Sequence, residues 1–237
     1  MEKALILLPT FNERENIKEL ILEILSLNYP GLEVLVVDDN SPDGTALIVE
    51  KLLSKFKNVH LIVKAEREGR GAASLTGLEY ARKIGADFLV EMDADFSHSP
   101  EVLLKIVDTI RNENLDAVFG SRFVKGGGDE RGLVRKIITY FSNCYLRLVF
   151  WTDIKDCTSG FRAYRVSKLN GLGFQTVKAR DPSILAEYLY YLLKNNARIK
   201  EIPFVFRDRQ KGKSKLGVKQ LMKGLWAPIR IKFQNRK

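Results

Sequence analysis

From Lys3 to Gly120 short apolar runs alternate with stretches of helical period, and most of the apolar runs end in a polar cluster. Lys3 to Leu8 reads as a buried strand that stops at Pro9, and Thr10-Phe11-Asn12-Glu13 then has the spacing of a helix capping box. Ile17, Leu20, Ile21, Ile24 and Leu25 recur at helical spacing until Asn28-Tyr29-Pro30-Gly31 breaks the pattern. Glu33 to Val37 predicts a second buried strand, followed by the turn-rich Asp38-Asp39-Asn40-Ser41-Pro42-Asp43-Gly44 and a helix carrying Ile48, Val49, Leu52 and Leu53 on one side. Val59 to Val63 is a third strand, Leu75, Leu78 and Ala81 mark a helix, and Phe88 to Met92 is a fourth strand ending at Asp93.

Beyond it the pattern predicts a helix over Val102 to Ile110, a strand over Ala117 to Gly120, and a Gly-rich charged loop from Lys125 to Gly132. Leu133 to Trp151 mixes Arg135, Lys136 and Arg147 with many apolar side chains, as an amphipathic helix would. Ser183 to Leu193 reads as a helix and Ile199 to Phe206 as one strand. Leu216 to Phe233 is a basic amphipathic stretch interrupted at Gly224 and Pro228. Strands alternating with helices predict an α/β fold with a mostly parallel central sheet, in which ligands gather at the carboxyl ends of strands.

The chain of 237 residues is long enough for one such domain. Its two cysteines, Cys144 and Cys157, have no metal-ligand spacing, and the N-terminus has no signal-peptide pattern, which suits a reducing cytoplasm. Charge changes the picture more. Arg207 to Lys237 holds eleven Lys and Arg against Asp208 alone, whereas Met1 to Phe206 is balanced at 28 of each sign, so the net +10 resides in the tail. A clustered positive field attracts nucleic acid, anionic lipid or a phosphorylated substrate alike. No apolar run of about 18 residues is present, so any membrane contact is expected to be peripheral.

Two carboxylates spaced as Asp93-Ala94-Asp95 at a strand end can present hard oxygens to one divalent cation, which bridges a diphosphate. A plainer explanation is an Asp-rich turn that caps the helix after Pro100. Asp38-Asp39 likewise serves either as a solvated turn or, through Asp39, as an acceptor for a nucleoside's hydroxyls. Gly69-Arg70-Gly71 is too short for a phosphate loop, and neither GxGxxG nor GxxxxGK[ST] follows any strand, which removes most dehydrogenase and P-loop readings. His60 and His98 stand alone in sequence and are read as packing or surface residues. Arg207, Arg209, Lys211, Lys213 and Lys215 alternate through a basic loop suited to phosphates, or form a solvated charge run.

Six segments in one order carry a resemblance that spans almost the whole chain. They are Leu8-Pro9-Thr10-Phe11-Asn12-Glu13, the run from Val36 to Thr45, Met92 to Pro100, Gly120-Ser121-Arg122-Phe123, Thr158-Ser159-Gly160-Phe161-Arg162 and Gly212-Lys213-Ser214-Lys215-Leu216. With these the sequence resembles the GT-A glycosyltransferases of glycosyltransferase family 2, and within them the dolichyl-phosphate (polyprenyl-phosphate) mannose synthase family. The resemblance implies a Rossmann-like three-layer GT-A domain over residues 1–215 and a membrane-surface segment over 216–237. It implies that Pro9, Phe11, Glu13, Val37 and Asp39 line the nucleoside pocket, with Asp93, Ala94 and Asp95 at the ribose, the diphosphate and a Mg²⁺ or Mn²⁺ ion, and Ser97 as a further metal contact. Arg122, Arg209 and Lys215 would hold phosphates of donor or acceptor, Arg135 would meet the acceptor's phosphate, and Asp95, Arg122 and Arg209 would carry catalysis.

Phe11 stands where several relatives have Tyr and Thr139 where many have Ser, and Lys178 to Pro182 lengthens the segment after Phe174-Gln175. A C-terminal anchor domain found in some relatives is missing, as in those served by a small membrane-anchoring subunit. The expected activity is inverting transfer of mannose from GDP-mannose to dolichyl or polyprenyl phosphate at the cytoplasmic face of a membrane. A UDP-glucose or other nucleotide-sugar donor is the nearest rival, and a basic-tailed nucleic-acid-binding protein is the rival of another class, which the strand-end carboxylates oppose.

Overall fold

The structure is a computed structural model that describes residues 2–169, 177, 181–208 and 226–233. Elements follow in the order β1 (Ala4–Thr10), α1 (Ile17–Ser26), β2 (Leu32–Asp38), α2 (Thr45–Leu53), β3 (Val59–Val63), α3 (Arg70–Lys83), β4 (Phe88–Glu91), α4 (Pro100–Asn112) and β5 (Ala117–Ser121). There follow β6 (Gly128–Asp129), α5 (Leu133–Phe150), β7 (Arg162–Arg165), α6 (Val166–Leu169), α7 (Ile184–Lys194), β8 (Ile199–Pro203) and β9 (Val205–Phe206). Residues 226–233 are helical as well, Pro228 included, so the interruption expected there is absent.

Among the described residues one seven-stranded sheet runs β3-β2-β1-β4-β7-β5-β8. β1 pairs in parallel with β2 and β4, β2 with β3, and β5 with β8, as the alternating pattern requires. β7 is the exception: it enters antiparallel between β4 and β5 and was not foreseen. Its sequence, Arg-Ala-Tyr-Arg, hides a buried strand because Arg162 is fully buried. Its Nη1 donates to the Leu185 carbonyl at 2.7 Å and its Nη2 to the Cys157 carbonyl at 2.6 Å, and the guanidinium lies 4.2 Å from the Phe119 ring centre.

Two apolar layers sandwich the sheet. One joins Leu5, Leu7, Leu35 and Leu89 to Leu78 of α3 and Leu189 of α7; the other joins Ile6, Val36, Phe88 and Val90 to Ile21 of α1 and Ile106 of α4. Successive β1 residues feed opposite layers, which is the period of two that a doubly covered strand must have. Ala227 and Ile231 of the 226–233 helix enter the first layer.

Three expectations need correction. Thr10 does not cap α1: β1 continues to Thr10, whose hydroxyl donates to Asp38 at 2.8 Å, and α1 begins seven residues later, at Ile17 behind Asn16, with no side-chain cap. Ile199 to Phe206 is not one strand, because Phe204 breaks it into β8 in the main sheet and β9, which pairs in parallel with β6. Ser99 stands at the N-cap of α4, so neither Asp93 nor Asp95 caps that helix.

Gly31, at φ +77°, turns the chain into β2, and a Cβ there would lie 2.6 Å from the Glu2 carbonyl oxygen. Gly31→Ala is expected to cost about 1–2 kcal/mol for the left-handed backbone alone, a fall of about 2–8 °C in Tm. Thermal unfolding followed by circular dichroism checks this, and an unchanged Tm refutes it.

Candidate active site

The carboxyl ends of β1, β2 and β4 lie side by side in the sheet, and three polar turns meet there. Asp38 and Asp39 divide their work. Asp38 is fully buried and accepts from the Thr10 hydroxyl at 2.8 Å, the Ser41 amide at 2.8 Å and the Ser41 hydroxyl at 2.6 Å. Asp39 accepts the amides of Glu68 at 2.7 Å and Gly69 at 2.9 Å, which ties the end of β2 to the start of α3. Asp38 therefore builds the turn, while Asp39, buried and facing Arg67 Nε at 3.9 Å, keeps acceptor capacity beyond its two amides, since each carboxylate oxygen takes two hydrogen bonds.

The segment after β1 is stitched to the same turn. Asn12 donates its amide to Ser41 Oγ at 2.9 Å, Glu13 its amide to Thr45 Oγ1 at 3.0 Å, and Arg14 its amide to Asp43 at 3.1 Å. Glu13 accepts from Asn16 Nδ2 at 2.9 Å. The Arg67 guanidinium lies 3.9 Å from the Phe11 ring centre. Pro9 and Val37 are register partners across β1 and β2; Pro9, Phe11, Glu13 and Asp39 lie at or just beyond the carboxyl ends of these strands, while Val37 is fully buried in the first apolar layer.

β4 delivers Asp93-Ala94-Asp95 to the neighbouring position. Ala94 and Asp95 are buried, and Asp95 Oδ1 takes the Ser97 amide at 3.1 Å and the Ser97 hydroxyl at 2.6 Å. Phe96 closes this turn at φ +61°, a conformation that a bulky residue holds only where its surroundings enforce it. Asp93 is ion-paired to Arg70, at the first position of α3, whose guanidinium also donates to the Gly160 carbonyl at 3.2 Å. Burial alone would lower the Arg70 pKa, but Asp93 and the Glu91 carboxyl beneath it raise it above the ordinary value, so Arg70 stays charged. Burial pushes Glu91 up despite Arg70, Ser74 and Arg162. The residues fit a hard cation: two carboxylates and a hydroxyl offer oxygen donors only, with no sulfur or nitrogen among Asp93, Asp95 and Ser97. Among the described residues no cluster of three or more His, Cys, Asp and Glu converges, so substrate oxygens would have to complete any coordination shell.

Sequence reading passed over His98 and Arg70. His98 is fully buried, and its Nδ1 accepts the Asp93 amide at 2.9 Å, which fixes the neutral tautomer with the proton on Nε2. Its ring stacks on Phe161 with centroids 5.0 Å apart and meets Phe204 and Phe206 edge-on. The signal available was its place five residues after Asp93, within reach of that residue's own backbone.

Arg122 comes from the end of β5. It is 8% exposed, and its Nε and Nη2 each hold Asp156 at 2.7 Å, with Nη2 also donating to Thr158 Oγ1 at 2.7 Å. Burial raises the Asp156 pKa, yet the Arg122 hydrogen bonds outweigh it and hold the carboxyl below its usual value. Arg122, Asp129 and Phe123 open onto a groove of about 360 Å³ whose other wall is Lys136, Ile137, Tyr140 and Phe141 of α5. Arg135 does not line that groove; it is exposed and sits 3.8 Å from Asp208. Arg209 and Lys215 lie outside the described residues, as do Phe174-Gln175 and Lys178 to Arg180.

A parallel sheet with a paired-carboxylate turn at its carboxyl edge and an arginine-headed groove beside it is the layout of a nucleotide-sugar transferase, and the comparisons with known proteins agree. Residues 5–173 match the glycosyl transferase family 2 model, and the chain belongs to that family. It is similar to the polyprenol monophosphomannose synthase of Mycolicibacterium smegmatis, 34% identical over 91% of this chain and 81% of the relative. The undecaprenyl-phosphate mannosyltransferase of Micrococcus luteus is 34% identical over 90% and 87%, and the dolichol-phosphate mannosyltransferase of Pyrococcus furiosus 36% identical over 94% and 62%. Among solved structures, glucosyl-3-phosphoglycerate synthase of Mycobacterium tuberculosis with Mn²⁺ and UDP superposes with a TM-score of 0.71 at 18% identity, covering 98% of this chain and 79% of that one. S. aureus TarS with UDP gives 0.60 at 22% identity, over 96% and 65%. These likenesses show the GT-A fold, and the chain is a glycosyltransferase.

His98 supplies a stability test. Burial lowers its pKa against the pull of Asp93 and Asp95, so the folded protein keeps it neutral while the unfolded chain protonates near the usual value of about 6.5. Its contribution is therefore present above about pH 6.5 and is lost as pH falls below it. His98→Leu leaves the Asp93 amide without its acceptor and is expected to cost about 1–3 kcal/mol at neutral pH. Urea unfolding of both proteins between about pH 5 and pH 8 should show this gap narrowing on the acid side; a constant gap would refute the assignment.

Proposed function

We propose that this chain transfers mannose from GDP-mannose to a dolichyl-type polyprenyl phosphate, with inversion at the anomeric carbon and a β-linked product. The observation that carries the reading is the groove beside Arg122. A phosphate needs cations and a polyprenyl chain needs apolar walls, and this groove has Arg122 and Lys136 among Phe123, Ile137, Tyr140 and Phe141. The three relatives, each named as a mannosyl transferase or synthase for a polyprenyl-type lipid, support the same choice of sugar and acceptor.

In this reading the nucleoside lies at the strand ends that carry Pro9, Phe11, Glu13, Val37 and Asp39. Asp93, Asp95 and Ser97 hold Mg²⁺ or Mn²⁺, and when bound the cation neutralises charge on the leaving diphosphate. Arg209 and Lys215 meet the donor's phosphates, and Arg122 and Arg135 meet the acceptor's. The attacking oxygen belongs to a phosphate that is already anionic at neutral pH, so no side chain need remove a proton. Catalysis then rests on alignment and on fixed positive charge where negative charge moves. Glu187, the generic candidate for a base, is buried on α7 and remains structural.

The lipid acceptor also gives a purpose to α5. Only Asn143 and Leu146 of its eighteen residues are buried, while Leu133, Val134, Phe141 and Leu148 are each at least 66% exposed, so the helix turns its apolar side outward. The 226–233 helix lies against its end, with Lys232 Nζ bonded to the Val149 carbonyl, and exposes Trp226 and Phe233. α5 carries Arg135, Lys136 and Arg147 and no acid, and residues 216–237 add further basic charge. Such a surface seats peripherally on an anionic bilayer; no helix among the described residues is long and apolar enough to cross one. A small membrane-anchoring subunit would act alongside this surface.

Two outcomes test the reading. Purified protein given a panel of nucleotide sugars and a polyprenyl phosphate should make mannosyl lipid from GDP-mannose, and Asp95→Ala or EDTA should reduce turnover by at least about a hundredfold. Product from UDP-glucose alone would replace the donor, and full activity without metal would remove the ion. Both tryptophans of the chain, Trp151 and Trp226, are exposed at 85% and 69% on this surface. Anionic vesicles should therefore shift tryptophan emission to the blue, less so at high salt, whereas an unchanged spectrum would reject the membrane seat.

A further inference from the structure

We propose that Arg131 is a positioning residue, acting through Asp129 and Phe206, that fixes the acceptor groove against the Asp93-Ala94-Asp95 loop. The proposal rests on the reading above in one respect only, that the groove takes a lipid phosphate.

Arg131 sits in a loop whose neighbours Glu130, Gly132 and Leu133 are exposed, yet its side chain is only 12% exposed. Three elements hold it. Its Nε bonds Asp129 Oδ1 of β6 at 2.9 Å and its Nη2 bonds the other oxygen, a two-pronged carboxylate contact. Nη2 also donates to Thr139 Oγ1 of α5 at 2.9 Å, and the guanidinium lies 4.5 Å from the Phe206 ring centre on β9. Asp129 in turn faces Arg122 Nη1 at 4.0 Å and lines the groove, which Arg131 itself does not.

Phe206 is the shared point. The Arg122 guanidinium is 5.5 Å from its ring centre and the His98 ring meets it edge-on at 5.5 Å. The backbone runs the same way: Glu130 donates its amide to the Phe206 carbonyl at 2.9 Å, and Arg207 donates its own to the Ser97 carbonyl at 3.2 Å. Gly127 lets β6 fold this close to the end of β5, since a Cβ there would be 2.4 Å from the Ser121 carbonyl oxygen. A continuous set of contacts thus leads from Asp93 through His98, Phe206 and Arg131 to Thr139 on the groove's helix. Both guanidinium groups lie over one ring, at 5.5 Å for Arg122 and 4.5 Å for Arg131, so moving the ring moves the groove's cation and the donor loop together.

The test pairs Arg131→Met, which removes the two-pronged contact, with Phe206→Leu, which carries no charge and cannot bind a phosphate. Each should raise the acceptor KM about tenfold, the loss of one charged hydrogen-bonded contact, and raise the donor KM in the same direction, because the donor loop loses the same ring contact. The double variant should be no worse than the poorer single one, because the two act through one contact, and Phe206→Tyr should restore the acceptor KM. Hydrogen exchange without substrates gives an independent readout. Both single variants should speed amide exchange in residues 93–99 and in the first turns of α5, with β1 and β2 unchanged. If Arg131→Met alone raised the acceptor KM, Arg131 would be a direct phosphate contact and the proposal would fail. Unaltered exchange at residues 93–99 in both variants would also overturn it, whatever substrate the wild type uses; a wild type that turns over no polyprenyl phosphate would instead defeat the functional reading alone.

Discussion

A carboxylate withdrawn from water at the edge of the sheet needs a cation, an amide or a hydroxyl to meet its oxygens, and the arrangement of the site follows from that constraint. Asp156 has no exposed surface and is held by Arg122 from two sides, while Asp93 has Arg70 and Asp38 has Thr10 and Ser41. Each pairing joins elements far apart in sequence. Asp156 fixes the loop after β5 to the loop before β7, and Asp93 fixes the start of α3 to the end of β4. Replacing one partner would strand the other in low dielectric, so the pairs set loop positions even where their net contribution to stability is small.

The same constraint explains what the sequence made legible. β1 to β5 are apolar runs because both faces are covered, and a parallel sheet presents its chemistry where such runs stop, so Asp39, Asp93 and Asp95 could be found by reading to the end of each run. β7 was hidden by Arg162, whose charge is absorbed by carbonyls and an aromatic face that belong to distant residues. Phe204 turns inward beside Phe161 and His98, and no local pattern marks the break it makes between β8 and β9.

His98 and Arg70 were missed for a related reason: each was weighed as a solitary residue. A histidine is a packing residue or a ligand according to what faces its two nitrogens, and here one faces the Asp93 amide. Arg70 belongs to a glycine-flanked tripeptide too short for a phosphate loop, and its importance comes from the helix that brings it to Asp93. α5 shows the opposite error of scale. Its composition marked it correctly as apolar and basic, but which side faced outward depended on how little of it, Asn143 and Leu146, the core takes up.

Counting donors on the arginines sharpens the role open to Arg122. A guanidinium has five N–H groups, and the bonds to Asp156 and Thr158 occupy Nε and Nη2, leaving Nη1 toward Asp129. An arginine committed in this way cannot swing to follow a ligand, and its positive charge is already balanced by Asp156. In the proposed function it would offer a fixed direction at the head of the groove, with no ordering cost when an anion arrives. In the same reading, attraction over distance would come from Lys136 on the groove wall and from the net positive charge that the sequence carries from Arg207 onward. In the proposed function a preset arginine for alignment and a basic excess for capture are separate demands, and a buried ion pair and a strongly basic tail sequence would answer them separately.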